Sequence, residues 1–153
     1  DKDGVAEICL NLQEELEIDV NLFLFCYWIA HFKYAPSESK WTQILEFSRD
    51  WKTNIVKPLR TARKSLKKLL KNHPENTDFA ELLKQLKRNE LSAEKIQQDA
   101  IQALLGLKET DAQIFSSEDA MTNLSYYFSR LGITQTNELK NSVQKVADIL
   151  IHS

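Results

Sequence analysis

Glycine, proline and cysteine are scarce in this chain: three, three and two among 153 residues. The isolated glycines Gly4, Gly106 and Gly132 leave no glycine-rich loop to cradle a phosphate. So few turn-formers favour long helices with short connections. Cys9 and Cys26 both fall inside apolar helical patterns, which argues against a disulfide scaffold and fits a reducing cytoplasm. The three histidines, His31, His73 and His152, are far apart, and no Glu-x-x-His pair exists to build a di-metal bundle site. Asp148 and His152, four residues apart, read as a histidine favoured by a helix C-terminus. Also missing are a strand pattern, an internal repeat, a low-complexity segment and an aspartate-rich metal–diphosphate motif. No metal and no cofactor is expected.

A long hydrophobic run is missing too. The apolar stretch Val20 to Phe32 is interrupted by Asn21 and His31 and flanked by Asp19 and Lys33. It is shorter than the roughly 20 residues that cross a bilayer, so integral insertion is not expected. Residues 20–34 read instead as a helix apolar on every side, which other helices must enclose. The acidic stretch ahead of it is no secretory leader. The chain begins at Asp1 without a Met, which leaves open whether a natural N-terminal segment is missing.

What is present is helical periodicity. Val5, Ile8, Cys9, Leu12 and Leu16 mark a first helix from Gly4, and Asp19 caps the second. After Pro36, with Ser37 or Ser39 as cap, Trp41, Ile44, Ser48, Trp51, Ile55, Leu59, Ala62, Leu66 and Leu69 predict one long helix over 39–72, kinked at Pro58. Phe79, Leu82, Leu86, Asn89, Ala93, Ile96, Ala100, Ala103 and Leu107 follow a heptad-like seam that predicts one helix over 77–105, with Asn89 as its polar member. These two helices form a long antiparallel hairpin. A loop over 107–116, a helix capped by Ser116 or Ser117 and closed by Gly132, and a helix capped by Thr134 or Thr136 complete the pattern. The expected fold is all-α: one domain over 1–153, a bundle of about six helices around helix 20–34.

Charge is unevenly spread. Residues 1–19 carry seven acids against Lys2, while 51–74 carry eight bases and no acid. Arg60, Lys64, Lys67 and Lys71 fall at i, i+4, i+7 and i+11, and Arg63 and Lys68 broaden that stripe. Such a cluster holds phosphates by summed Coulomb attraction; a solvated face, or one neutralised by the acidic first helix, accounts for the same charges. Acid pairs such as Glu90/Glu94 read as solvated. No aromatic residue interleaves the bases over 57–71, which disfavours base stacking. Arg60 and Arg63 follow the proline directly. Being arginines, they suit a partly buried anion pocket, with Gln13, Asn21 and Trp28 as candidate polar and aromatic walls.

Gly4-Val5-Ala6, Cys9-Leu10-x-Leu12-Gln13, Asp19-Val20-Asn21-Leu22-x-Leu24-Phe25-Cys26-x-Trp28, Trp51 and Pro58-Leu59-Arg60-x-x-Arg63 resemble a proteobacterial family of small cytoplasmic proteins known only as a domain of unknown function. The resemblance is specific over 4–70 and loose in helix 77–105, and 107–153 carries no motif that aligns. An aromatic-containing stretch that precedes Gly-Val-Ala in that family is absent here. The resemblance implies a helical fold and a bacterial cytoplasmic protein, implies no activity, and puts Gln13, Asn21, Arg60 and Arg63 on motif positions.

Three functional readings stay open. The first is a non-catalytic interaction or adaptor module that binds a protein partner or itself through the hairpin. The second is an anion-binding module for nucleic acid or a phosphorylated ligand. The third is an enzyme or lipid-binding protein with a cavity beside helix 20–34.

Overall fold

The computed structural model describes residues 4–151; Asp1, Lys2, Asp3, His152 and Ser153 lie outside them. The described residues form helices and no strand: α1 (Val5–Leu16), α2 (Val20–Ala30), α3 (Glu38–Trp51), α4 (Lys57–Asn72), α5 (Thr77–Leu105), α6 (Ser117–Arg130) and α7 (Asn137–Ile151). A π-helical turn, Lys52–Val56, joins α3 to α4 without a break, so the described residues make six rods, an all-α fold as the periodicity predicts. A short 3₁₀ turn, Glu109–Asp111, lies in the connection before α6. The helices fall into two compact units, one from Asp1–Ser37 with Gly106–Ser153 and one from Glu38–Leu105.

In the first unit, α2 packs on α6 and α1. It has no polar stripe: Phe23, Cys26, Ile29 and Ala30 are wholly buried, with Leu22, Phe25 and Tyr27 nearly so. Burying each large side chain contributes about 1.5–3 kcal/mol. The Tyr27 hydroxyl donates to the Val143 carbonyl of α7 (2.8 Å), so a phenol sits in the core with its polar tip satisfied. Asp19 caps α2 by accepting from the Asn21 N–H (2.9 Å), and its own N–H donates to the Tyr127 hydroxyl of α6 (3.3 Å).

The α2 helix stops at Ala30, short of the expected Tyr34. Lys33 adopts a left-handed φ of 48°, the Tyr34 N–H reaches back to the Ile29 carbonyl, and the Lys33 N–H reaches the Ala30 carbonyl. That is a Schellman ending with lysine where glycine is usual, a sequence in which no glycine announces the stop. Beyond it, the His31 carbonyl accepts from the Gln113 N–H (2.5 Å), and the His31 ring lies 4.8 Å from that of Phe115. Ser116 caps α6 through the Asp119 N–H (3.3 Å), and Thr136 caps α7 through the Leu139 N–H (3.2 Å).

In the second unit, the α3–α4 rod runs against α5 as the expected hairpin. Trp41, Ile44 and Ser48 face inward from α3. The Trp51 indole N–H donates to the Ala93 carbonyl (2.9 Å), and Lys40 Nζ donates to the Leu104 carbonyl at the C-terminal end of α5 (3.0 Å). Pro58 does not act as a simple kink. The turn before it widens, and the Lys57 N–H bonds the Lys52 carbonyl five residues back. Such a turn holds one residue more than an α-turn and shifts the buried face. Val56 is therefore buried where Ile55 was expected, and Ile55, Ala62 and Leu69 are exposed.

The seam on α5 is corrected as well. The buried positions are Glu90, Ala93, Gln97 and Ile101. Asn89 is exposed, and Leu82 and Ile96 are 46% and 50% exposed. An apolar count misplaced the face because half of what α5 buries is polar.

Candidate anion-binding site

α4 carries two kinds of cation. Arg60 and Arg63 turn toward α5, where Arg60 Nε donates to Glu90 Oε1 (2.8 Å) and Arg60 Nη2 to Glu94 Oε1 (2.8 Å). Arg63 Nε donates to Glu90 Oε2, and Arg63 Nη2 to Glu90 Oε1 (3.3 Å). Glu90 thus accepts from both arginines with both oxygens, and it is only 7% exposed. Two positive and two negative charges close on themselves. Arg60 and Arg63 reach across the hairpin to these carboxylates, each keeping about a quarter of its side-chain surface in water.

This corrects the reading of Glu90/Glu94 as a solvated pair. Burial raises the Glu90 carboxyl, but the hydrogen bonds and charges of Arg63 and Arg60 outweigh it and hold the carboxyl below the usual glutamate range. The Arg63 guanidinium is held above its ordinary value by the bond to Glu90. A signal was there to find. Folding a hairpin at residues 74–75 sets position 60 opposite 89 or 90, which pairs an Arg-x-x-Arg with a Glu-x-x-x-Glu.

The sign of the resulting pH dependence is fixed. A carboxyl with a folded pKa below its unfolded value contributes stability above the unfolded value, near pH 4.3. That contribution is lost as pH falls through the folded value. Acid titration followed by circular dichroism is expected to show wild type losing stability below about pH 4.5 more steeply than Glu90→Gln, which has no charge to lose.

The lysines behave differently. Lys57, Lys64, Lys67, Lys68 and Lys71 are exposed, and among the described residues none makes an ion pair. Lys57, Lys64, Lys68 and Lys71 follow spacings of seven, four and three residues, one helix face over about 21 Å. That face is turned from the side carrying Arg63, Leu66 and Leu70. The stripe expected from Arg60, Lys64, Lys67 and Lys71 is thus split, because the arginines leave it. On α5, Lys84 and Arg88 pair with Glu81 at 3.8 and 3.3 Å, all three being exposed, and Lys87 makes no ion pair among the described residues.

Gln13, Asn21 and Trp28 belong to the first unit, not to the unit that holds Arg60 and Arg63. Each is half-buried. The Trp28 ring is stacked on that of Phe25 (5.9 Å) and tilted against that of Phe32 (4.7 Å), just beyond the end of α2. None of the three lines the groove this unit forms between α6 and α7. Cys9 and Cys26 are free and buried, and burial pushes both thiols up, away from thiolate chemistry. Burial pushes the His31 imidazole down. The described residues hold no group of three or more His, Cys, Asp or Glu placed for a metal ion, and no helix long and apolar enough to cross a membrane.

Fold and site together define a helical protein whose hairpin is locked by an internal ion-pair cluster and clad in lysines. The chain belongs to a family described as protein of unknown function (DUF2390), whose model matches residues 1–101. That span contains the whole Arg60–Arg63–Glu90–Glu94 cluster and stops before α6 and α7. No curated protein and no solved structure matches the chain.

Proposed function

We propose that this protein is a non-catalytic interaction module, and that the lysine face of α4 holds a polyanion by its backbone phosphates. The observation that carries this is five exposed lysines without an ion pair on a helix whose two arginines are already neutralised. A helix face built only to be soluble mixes both signs. The absence of aromatics over 57–71 favours contact with phosphates over contact with bases. The unpaired, buried Cys9 and Cys26 support a cytoplasmic setting.

Fluorescence anisotropy with a labelled DNA duplex tests it. Binding is expected at low salt, with log K falling against log salt at a slope no steeper than about −4.5 if all five lysines engage phosphates. Replacing Lys64, Lys68 and Lys71 together by Gln is expected to bring that slope to about −2, and the Lys145→Gln control on α7 to leave it unchanged. No binding at 25 mM salt sinks the reading.

A second reading has its own observation. Leu82, Asn89, Ile96 and Ala103 repeat every seven residues along α5 and stand exposed. A row of that period suits helix pairing between two copies, with Asn89 setting register. Light scattering after size exclusion is expected to give a dimer that Ile96→Asp returns to monomer; a wild-type monomer at high micromolar concentration ends this reading.

A further inference from the structure

The groove between α6 and α7 has no part in the lysine face. It encloses about 390 Å³ within the first unit. That lies in the range of small-molecule sites, which are mostly apolar with a few placed polar groups. Leu124 and Phe128 of α6 and Leu139 and Val143 of α7 form the floor, buried to 5% exposure or less, and Met121 stands at the wall. Two of the lining residues are tied to each other: Ser125 Oγ donates to Gln135 Oε1 (3.0 Å), and Gln135 Nε2 donates to the Ser125 carbonyl (3.3 Å).

Charge decides what the groove prefers. Lys140 is the one charged residue among those lining it, and it makes no ion pair among the described residues. The nearest acid down the same face of α7, Asp148, is engaged by the Gln144 amide at 2.8 Å. The geometry points to a site for a small amphipathic carboxylate, its hydrocarbon chain along Leu124, Phe128 and Val143 and its anionic head at Lys140.

Met121 is the chain's single methionine and lies in the groove, so its ε-methyl carbon gives one NMR signal that reports occupancy. With ¹³C-methyl-methionine protein, sodium octanoate is expected to move that signal saturably. Sodium hexanoate, shorter by two methylenes, is expected to need about tenfold more. Lys140→Gln is expected to weaken octanoate several-fold and leave 1-octanol unchanged, while Lys145→Gln on the same helix changes neither. A signal that stays still up to about 10 mM octanoate overturns the site. A shift that Lys140→Gln does not weaken, or that octanol produces as readily as octanoate, overturns the assignment of an anionic head.

Discussion

Glu90→Ala is expected to lower unfolding free energy by about 3 kcal/mol. Removing one member of a partly buried ion-pair cluster strands the others, and the two guanidinium groups of α4 would then sit side by side in the helix contact without the carboxylate they share. Arg60 and Arg63 keep about a quarter of their side-chain surface in water. That places the cost at the lower edge of what fully buried pairs show. In a chain of this length the loss corresponds to a fall of about 6–12 °C in melting temperature. Glu94→Ala is the internal comparison. Glu94 is 30% exposed and has a smaller share of the cluster, so about 1 kcal/mol is expected. Urea denaturation measures both. Equal losses for the two variants would show that the asymmetry of the cluster has no energetic meaning. Exchanging Arg60, Arg63 and Glu90 together for leucines is expected to recover most of the stability, since an apolar replacement of a buried ion cluster is often neutral or better.

The second large effect is in the other unit. Phe23 is wholly buried in α2 and meets the Tyr27 ring edge-on at 5.2 Å. Phe23→Ala is expected to cost about 3–5 kcal/mol, from lost transfer energy and the cavity left behind. Tyr27→Phe costs less, about 1 kcal/mol, because it removes one satisfied hydrogen bond and leaves the Val143 carbonyl without that donor. A Phe23→Ala loss below 1 kcal/mol would mean that α2 is not the enclosed element its burial describes. Phe23 and Glu90 lie in different compact units. The pair therefore tests the expectation of a single domain over 1–153. One cooperative domain gives a single transition lowered by both substitutions, and two domains give two transitions, each lowered by one.

Much of the fold was legible because it rests on features that sequence displays directly. The α2 helix is apolar on all sides, and no soluble surface accommodates that, so its burial followed. The ends of the hairpin were marked by Pro36, Pro74 and Gly106, whose φ of 65° is one that glycine adopts freely. What was not legible depended on partners distant in sequence. Arg60 and Arg63 read as free cations until the hairpin set Glu90 opposite them. Asn89 read as the buried polar residue of α5, one position away from Glu90, which is buried. That displacement arises because a charged residue enters a helix contact only when opposite charges meet it there, and periodicity sees one strand of the hairpin at a time. Lys33 ending α2 in a left-handed conformation had no signal at all.

The π turn at Lys52–Val56 has a consequence for how this chain can vary. One residue in an α-helix corresponds to about 100° of rotation. The extra residue sets which side of α4 meets α5, and so sorts its cations into an inward pair and an outward row. Loss of one residue from that turn would swing Arg60 away from Glu90 and carry the whole lysine row around the rod, with no side chain altered. Insertions and deletions there, more than substitutions, are the changes that redraw the molecule's electrostatic map.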